Sequence, residues 1–402
     1  MLKSNFRQYR AVPRREFAVD NFEYCNPTRV FFGKGQIAAI DTQIPREAKV
    51  LLTYGGGSIK RNGTYAQVKA ALGGRKVVEF GGIEPNPAFE TMLKGVDLAR
   101  AEKVDFVLAV GGGSVVDGSK FLSGAVFYEG DPWEIVLTRA SVVKKTLPLG
   151  AVLTLPATGT EMNGNAVVTR RATKDKLGMA SPLFFPRFSV LDPELTYSLP
   201  PRQIANGVVD AFVHTMEQYM TYPARGSVQD RFAEGVLLTL IEEGPKTLAH
   251  PTDYDSRANM MWAATMALCG ILRVGMPGDW ASHGIGHELT ALYGMDHGQT
   301  LAVVLPGVLA EYRAAKHDKL LQYARRVWGE SGSDEAAVDG AIARTRAFFE
   351  SLGVKTTLAG YGLGADAIPA VVEQLRRHNR LTLGEGDMID LDGVTRILKR
   401  CL

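Results

Sequence analysis

The sequence predicts an α/β fold followed by an all-helical one. Three observations predict it. Short apolar strands alternate with helices and glycine turns up to about residue 199; that pattern stops at Pro200 and Pro201; only helical periodicity follows. Strands alternating with helices imply a mostly parallel sheet covered on both faces. At 402 residues the chain is too long for one ordinary core. The expected division is an arm over 1–20, an α/β domain over 21–199 and an all-helical domain over 200–402.

The arm carries Lys3, Arg7, Arg10, Arg14 and Arg15 with no acid before Glu16. It lacks the apolar stretch of a secretory signal; a mitochondrial-type presequence shares its composition, but an arm ahead of the fold is the expectation. In the α/β half, TRVFF reads as a strand over 28–32 with a glycine turn at Gly33 and Gly35. AKVLLTYGGGS reads as a buried strand over 50–54 that ends in Gly55, Gly56, Gly57 and Ser58. KVVEF is another strand, followed by the turn GGIEPNP and a helix over 87–103. VDFVLAVGGGSVVDGSK repeats the arrangement, with Gly111, Gly112, Gly113 and Ser114 at the strand's end. Strands at 149–155, 165–169 and 188–191 complete this half. Beyond it, QIANGVVDAFVHTMEQYM is apolar at helical spacing, and the paired prolines suit its first turn. Further helices are expected at 256–271, 301–313, 320–328, 335–352 and 367–378.

Composition narrows the function classes. Apolar content of 46% and charged content of 22% are those of an ordinary globular enzyme. A net charge of +3 is small for this length and gives no reason to expect nucleic acid or a membrane surface as partner. Cys25, Cys269 and Cys401 are odd in number and far apart, which fits reduced thiols and a cytoplasmic setting. No run approaches the roughly 20 apolar residues that span a bilayer.

The two glycine-rich loops are the first functional signal. Glycines let backbone N–H groups approach a phosphate, and a following helix N-terminus favours negative charge. Both loops would lie at the carboxyl ends of strands, where open α/β sheets bind ligands. The run GGGSVV lacks the last glycine of G-x-G-x-x-G, and in GSVVDGSK Ser119 precedes Lys120, which breaks the order of a P-loop. An NTPase is therefore not expected. Tight turns alone would explain one such loop better than two, so dinucleotide binding is preferred.

The second signal is WASHGIGHELTALYGMDHG, residues 280–298, with three of the chain's seven histidines. His283 and His287 are four apart and share a helix face, and His297 follows Gly294, where the chain can turn back. A bare pair at that spacing would ordinarily be two unrelated polar histidines. Upstream, Asp210 and His214 are also four apart, amid apolar residues. Asp210, His214, His283 and His297 together make a mixed N/O site for a divalent metal, and a set without thiolate suits Fe2+ or Zn2+.

With these motifs the chain resembles the iron-containing (group III) alcohol dehydrogenase family over nearly its whole length from about Asn21. GGGSVVDGSK looks like that family's pyrophosphate loop, with Gly111, Gly112, Gly113, Ser114, Asp117 and Lys120 in place. ATGTEMN looks like its second cofactor loop, with Thr160 where serine is common. DAFVH and HGIGH followed by DHG match its metal motif, with Asp296 where proline is frequent. YGGGSIK, FGGIEPNP and NGVVDAFVHTMEQY resemble the branch of NADPH-dependent aldehyde reductases and butanol dehydrogenases. The resemblance implies the fold shared with dehydroquinate synthase: a dinucleotide-binding α/β domain, then a helical metal-binding domain. It implies Asp210, His214, His283 and His297 as metal ligands, with His287 unligated, facing nicotinamide and substrate and relaying a proton. Thr154, Thr158 and Lys176 would border the cofactor, and Asn163 would lie near its nicotinamide end. A homodimer using the N-terminal strand is implied as well. The reaction implied is hydride transfer between NADP(H) and an aldehyde or primary alcohol.

Cofactor choice allows a separate argument. A carboxylate at a strand end binds the ribose 2′-OH of NAD and repels a 2′-phosphate. The first glycine-rich loop has no carboxylate: Gly55, Gly56, Gly57 and Ser58 are followed by Lys60 and Arg61. A hydroxyl, free N–H groups and nearby cations suit the phosphate of NADP. Glu79, ending the next strand, sits where an ordinary Rossmann fingerprint puts its NAD-selecting acid, but that fingerprint is absent. Three other readings stand beside this one. A metal hydrolase needs H-E-x-x-H, and here Glu288 follows the second histidine. A lyase or cyclase of the same architecture would retain NAD permanently. A non-catalytic binding protein would not need every ligand and both loops.

Overall fold

The computed structural model describes residues 19–221 and 225–402, so the basic residues of the arm lie outside the described residues. Eight strands precede residue 200: β1 (Arg29–Phe32), β2 (Lys49–Tyr54), β3 (Lys76–Phe80), β4 (Phe106–Gly112), β5 (Leu149–Leu155), β6 (Asn165–Arg170), β7 (Asp175–Ala180) and β8 (Phe188–Leu191). Six of them form one sheet in the order β1-β8-β5-β4-β2-β3, every neighbouring pair parallel. Alternate side chains fill two cores. Leu51, Val107, Ala109 and Ala151 face one side of the sheet, and Val50, Leu52, Leu108, Val110 and Val152 the other. Both faces being covered is why these strands read as continuous apolar runs.

From β2 the chain steps outward to β3, then returns to lay β4 on the other side of β2. Strand order therefore reverses between β2 and β4, and the crevice in which open α/β sheets bind ligands lies above the carboxyl ends of such a pair. Both GGGS loops leave from those two ends.

Strands β6 and β7 form a separate antiparallel hairpin. Sequence reading identified β6 and missed β7, because DKLGMA has no β-branched residue and begins with two charges. The hairpin is the bridge to the second half: β6 packs on the Gly113–Ala125 helix, and β7 on the Ala281–Tyr293 helix.

The helical half is built round Pro201–Tyr219, whose side chains are buried from Gly207 to Tyr219 without a break. A helix buried all round is a central one, and its neighbours are Ser227–Ala249, Tyr254–Leu268 and His297–Glu311. The first neighbour escaped the sequence reading because Gly235, Gly244 and Pro245 interrupt its pattern. Tertiary burial overrides the lost backbone donor at Pro245. Gly244 is needed there, since a Cβ would lie 2.8 Å from Val208 Cγ1 of the central helix. One expectation is corrected: this half is not all helical. Thr382–Leu383 and Ile389–Asp390 pair as a small antiparallel ribbon, turned by Gly384 and Gly386 at φ of 76° and 61°.

Candidate metal centre and cofactor crevice

The crevice is lined by backbone. Gly57, at φ 86°, turns the chain from β2 into the short Ser58–Arg61 helix. Above β4, Gly113 opens the Gly113–Ala125 helix, and a Cβ on it would lie 2.6 Å from Thr158 Oγ1. Only glycine lets the two loops meet so closely. Gly111 is as tightly confined, with a Cβ 2.5 Å from Val115 Cγ2, and Gly112 less so, at 3.0 Å from Leu155 Cβ. Thr154 and Thr158 stand half-buried beside this opening, and the hydroxyls bond no protein atom among the described residues. Ser114 Oγ accepts the Asn86 N–H at 3.1 Å and keeps its own proton free. Gly55, Gly56 and Ser58 line the neighbouring loop, and around Gly56 a Cβ would meet nothing within 4 Å.

Two expected cofactor contacts are engaged elsewhere. Asp117 accepts from Thr160 Oγ1 at 2.6 Å and from the Val167 N–H at 2.9 Å. Asn163 donates to the carbonyls of Gly159 and Leu268 at 2.8 and 3.2 Å, and its Oδ1 accepts from the Asn165 N–H and Lys120. Lys120 Nζ, fully buried, also meets Thr160 O, Thr160 Oγ1 and the carbonyls of Asn163 and Asn165 at 2.7 to 2.8 Å. Asn163 and Lys120 have no bonding capacity left, and Asp117 is held at both carboxylate oxygens, so all three shape the 157–165 loop and its surroundings. Burial lowers Lys120 to about 8, opposed by Asp117 and Glu161.

Glu79 is likewise occupied. Its oxygens accept from Tyr65 at 2.5 Å and from Tyr54 and Lys60 at 3.1 Å. Three donors from the protein itself thus hold Glu79 in place. The same contacts tie up Lys60, whose ammonium lies over the Tyr54 and Tyr65 rings.

The metal candidates come from three helices. Asp210 and His214 lie on Pro201–Tyr219, His283 on Ala281–Tyr293, and His297 opens His297–Glu311. One donor atom from each falls within 4.8 Å of all the others. Asp210 Oδ1 is 3.4 Å from His214 Nδ1, 3.9 Å from His283 Nε2 and 3.6 Å from His297 Nε2. Asp210 Oδ1, His214 Nδ1 and His283 Nε2 are buried and make no hydrogen bond. Unpaired polar atoms gathered round one point are costly unless something occupies it, and a divalent cation fits this N/O set. Burial holds the imidazoles neutral, as ligation requires: His214 falls to about 4 and His283 to about 3, and His297 is lowered well below the ordinary range.

Local sequence explains how the three helices approach. Gly207 rests on the loop after β5, where a Cβ would lie 2.6 Å from Pro156 O. Gly298 rests on the central helix, where a Cβ would lie 2.5 Å from Asn206 O. Asp296 precedes that helix and accepts from Asn206 Nδ2 at 2.8 Å, with Arg202 at 3.4 Å. An aspartate in place of proline thus ties the His297 turn to the helix bearing Asp210.

Sequence reading missed Glu217. Its Oε2 contacts His283 Nδ1, and Oε1 accepts the Ser282 N–H at 2.5 Å. Burial pushes Glu217 up to about 8, against the N–H donors that favour its charged form. A signal was there: Asp210, His214 and Glu217 repeat at i, i+4, i+7 on one helix face. Beyond it, Asp279 accepts from Lys316 at 2.9 Å in a buried ion pair.

His287 sits with its ring 5.3 Å from that of His297 and 6.2 Å from that of His283, its Nδ1 buried and unpaired. Burial first, then the charge of Lys176, lowers it well below the usual range. Lys176, on β7, is itself lowered to about 8 by burial, opposed by Asp210, Asp117 and Glu288. The hairpin therefore brings one cation from the α/β half to the histidine cluster. His378 braces the same place, with Nδ1 2.9 Å from Glu288 and Nε2 2.8 Å from Asp175.

Crevice, glycine loops and quartet define a class. The profile described as "Iron-containing alcohol dehydrogenase" matches residues 27–193, and that described as "Fe-containing alcohol dehydrogenase family, C-terminal" matches residues 204–402. The chain belongs to the iron-containing alcohol dehydrogenase family. It is similar to the NADPH-dependent aldehyde reductase YqhD of Escherichia coli K12, 56% identical over 94% of this chain and 99% of that one. NADH-dependent butanol dehydrogenase A of Clostridium acetobutylicum is 39% identical over 94% and 99%. The substrate- and cofactor-free structure of the E. coli aldehyde reductase superposes with a TM-score of 0.90 at 54% identity, over 95% of this chain and all of that one.

Proposed function

We propose that this protein is an NADP(H)- and divalent-metal-dependent alcohol dehydrogenase that works as an aldehyde reductase. The observation that carries the reading is the unpaired donor quartet of Asp210, His214, His283 and His297 beside a glycine-lined crevice. The relatives support it: one is named as an NADPH-dependent aldehyde reductase and another, 40% identical, as an NADP-dependent alcohol dehydrogenase. When bound, the cation supplies Lewis-acid polarisation of a carbonyl and the nicotinamide supplies hydride.

The chain's own residues do the rest. The quartet holds one Fe2+ or Zn2+. Glu217 fixes the His283 tautomer, leaving the Nε2 lone pair for the quartet. The N–H groups of Gly111 to Ser114 and the helix N-terminus behind them receive the pyrophosphate. Ser58 and the loop of Gly55 to Gly57 receive the 2′-phosphate. Thr154 and Thr158 offer free hydroxyls along the crevice, and Lys176 offers a buried cation near the nicotinamide end. His287 exchanges the substrate oxygen's proton. The division into residues 21–199 for cofactor and 200–402 for metal follows from these roles.

The same reading includes a homodimer. Strand β1 is a sheet edge, and Phe32 and Trp262 beside it are 38% and 41% exposed with rings 5.7 Å apart. A second copy laid along that edge covers both rings and the open backbone groups; sedimentation of the protein tests it. No described helix is long and apolar enough to cross a membrane. Three unpaired cysteines fit the reducing cytoplasm.

The experiment is elemental analysis of protein purified without added metal, run beside a panel of short and medium aldehydes with NADPH and NADH. Sustained NADPH consumption over many turnovers is expected, and also separates this enzyme from a lyase that keeps its NAD. Metal-loaded protein that consumes no NADPH with any aldehyde overturns the reading.

A further inference from the structure

Trp280 is the N-cap of the helix carrying His283 and His287, and it sits in the left-handed region at φ 60°, ψ 15°. Nine non-glycine residues have positive φ among those described, and Trp280 is the only aromatic one. Side chains of that bulk rarely adopt the conformation, and such outliers persist where their surroundings impose them for a function. The surroundings do impose it. Asp279 Oδ1 accepts the Ala281 N–H at 3.1 Å, its Oδ2 is paired with buried Lys316, and its own N–H is held by Glu217 O at 2.8 Å. Gly278 leaves the indole its seat, since a Cβ there would overlap Trp280 Nε1.

What the strain secures is the position of the ring. The indole is half-buried, its centroid 5.5 Å from the His283 ring and 6.4 Å from the His214 ring. An aldehyde whose carbonyl reaches the quartet must bring its next carbons through the space around those imidazoles, which the indole already borders. Its Nε1–H donates to no protein atom among the described residues, which leaves the ring's polar edge unused there.

We propose that Trp280 is the specificity-determining wall of the substrate cleft, selecting aldehydes unbranched at the carbon beside the carbonyl. The proposal rests on the aldehyde-reductase reading. Ground-state strain held for substrate selection makes a distinctive prediction: the variant that relieves the strain is no less stable but less selective.

The test compares butanal with 2-methylpropanal in Trp280→Gly, Trp280→Phe and Gly278→Ala. Trp280→Gly should raise kcat/KM for the branched aldehyde relative to the linear one about tenfold, the scale of one methyl group against a pocket wall. Its Tm should not fall and its metal content should not change. Trp280→Phe should keep the wild-type ratio, and Gly278→Ala, which displaces the indole, should move it as Trp280→Gly does. A second measurement needs no turnover. The other three tryptophans contact Phe89, Phe32 or Tyr323 and Phe348, away from the quartet. Trp280→Phe should therefore remove most of the fluorescence quench caused by Co2+ while leaving its stoichiometry intact. An unchanged aldehyde ratio in Trp280→Gly, or loss of metal with it, overturns the proposal. Absence of any aldehyde reduction in wild type would instead overturn the reading beneath it.

Discussion

The two halves of this molecule make their sites in opposite ways. In the α/β half the crevice is made of backbone: Gly55 to Gly57 and Gly111 to Gly113 present N–H groups, and the named side chains Asp117, Lys120 and Asn163 turn inward to shape a loop. In the helical half the backbone is fully used within helices, and the site is four side chains from three of them. A backbone site tolerates loss of any one side chain but not a bulky or charged intruder. A side-chain site tolerates neither loss of a donor nor a shift of one helix against another.

The largest effect that contrast predicts is in the helical half. His283→Ala should strip the metal and lower turnover about 10³-fold, the scale of losing the charge that stabilises a developing oxyanion. NADPH affinity, measured by fluorescence, should stay as it was; equal loss of both would end the division of labour. One step out, Glu217→Gln should weaken metal affinity roughly 10- to 100-fold in chelator competition, because it leaves His283 without the carboxyl group that orients it. In the α/β half the sharpest intrusion is Gly56→Asp, at a position with open space for the side chain. Repulsion of the 2′-phosphate should cut NADPH preference over NADH by about tenfold, with metal content untouched. An unchanged preference would show that this loop is not the selector.

The smallest effect concerns the seam between the halves. His378 lies between Glu288 and Asp175, with Arg377 and Arg380 nearby, and its bond to Glu288 is the main cause of its pKa lying above 6.5. A group raised on folding stabilises fully below its unfolded value and loses that contribution as pH rises through the raised one. Stability should therefore decline from about pH 6.5 upward, and His378→Gln should flatten the decline in Tm measured across that window.

The sheet strands, the glycine loops, and the Asp210, His214, His283 and His297 set were all legible, because each rests on a local pattern. Strand β7 was not, since DKLGMA takes its place from the hairpin partner β6 and from the Ala281–Tyr293 helix. Glu217 was legible by its i+7 spacing from Asp210 and was overlooked. Asp117 and Asn163 read as crevice residues in their motifs, and only the fold shows the internal bonds they also make.

By itself the sequence determined the alternation of strands and helices, the two loops where glycine is required, and four residue types able to bind one cation. These follow from short-range rules of periodicity, turn geometry and donor chemistry. Tertiary structure alone decided that β2 and β4 lie side by side, that Gly207 and Gly298 let three helices close round Asp210, and that Trp280 stands strained against two imidazoles. Each of those depends on contacts between residues far apart in the chain, and no local pattern encodes which distant surface a residue will meet.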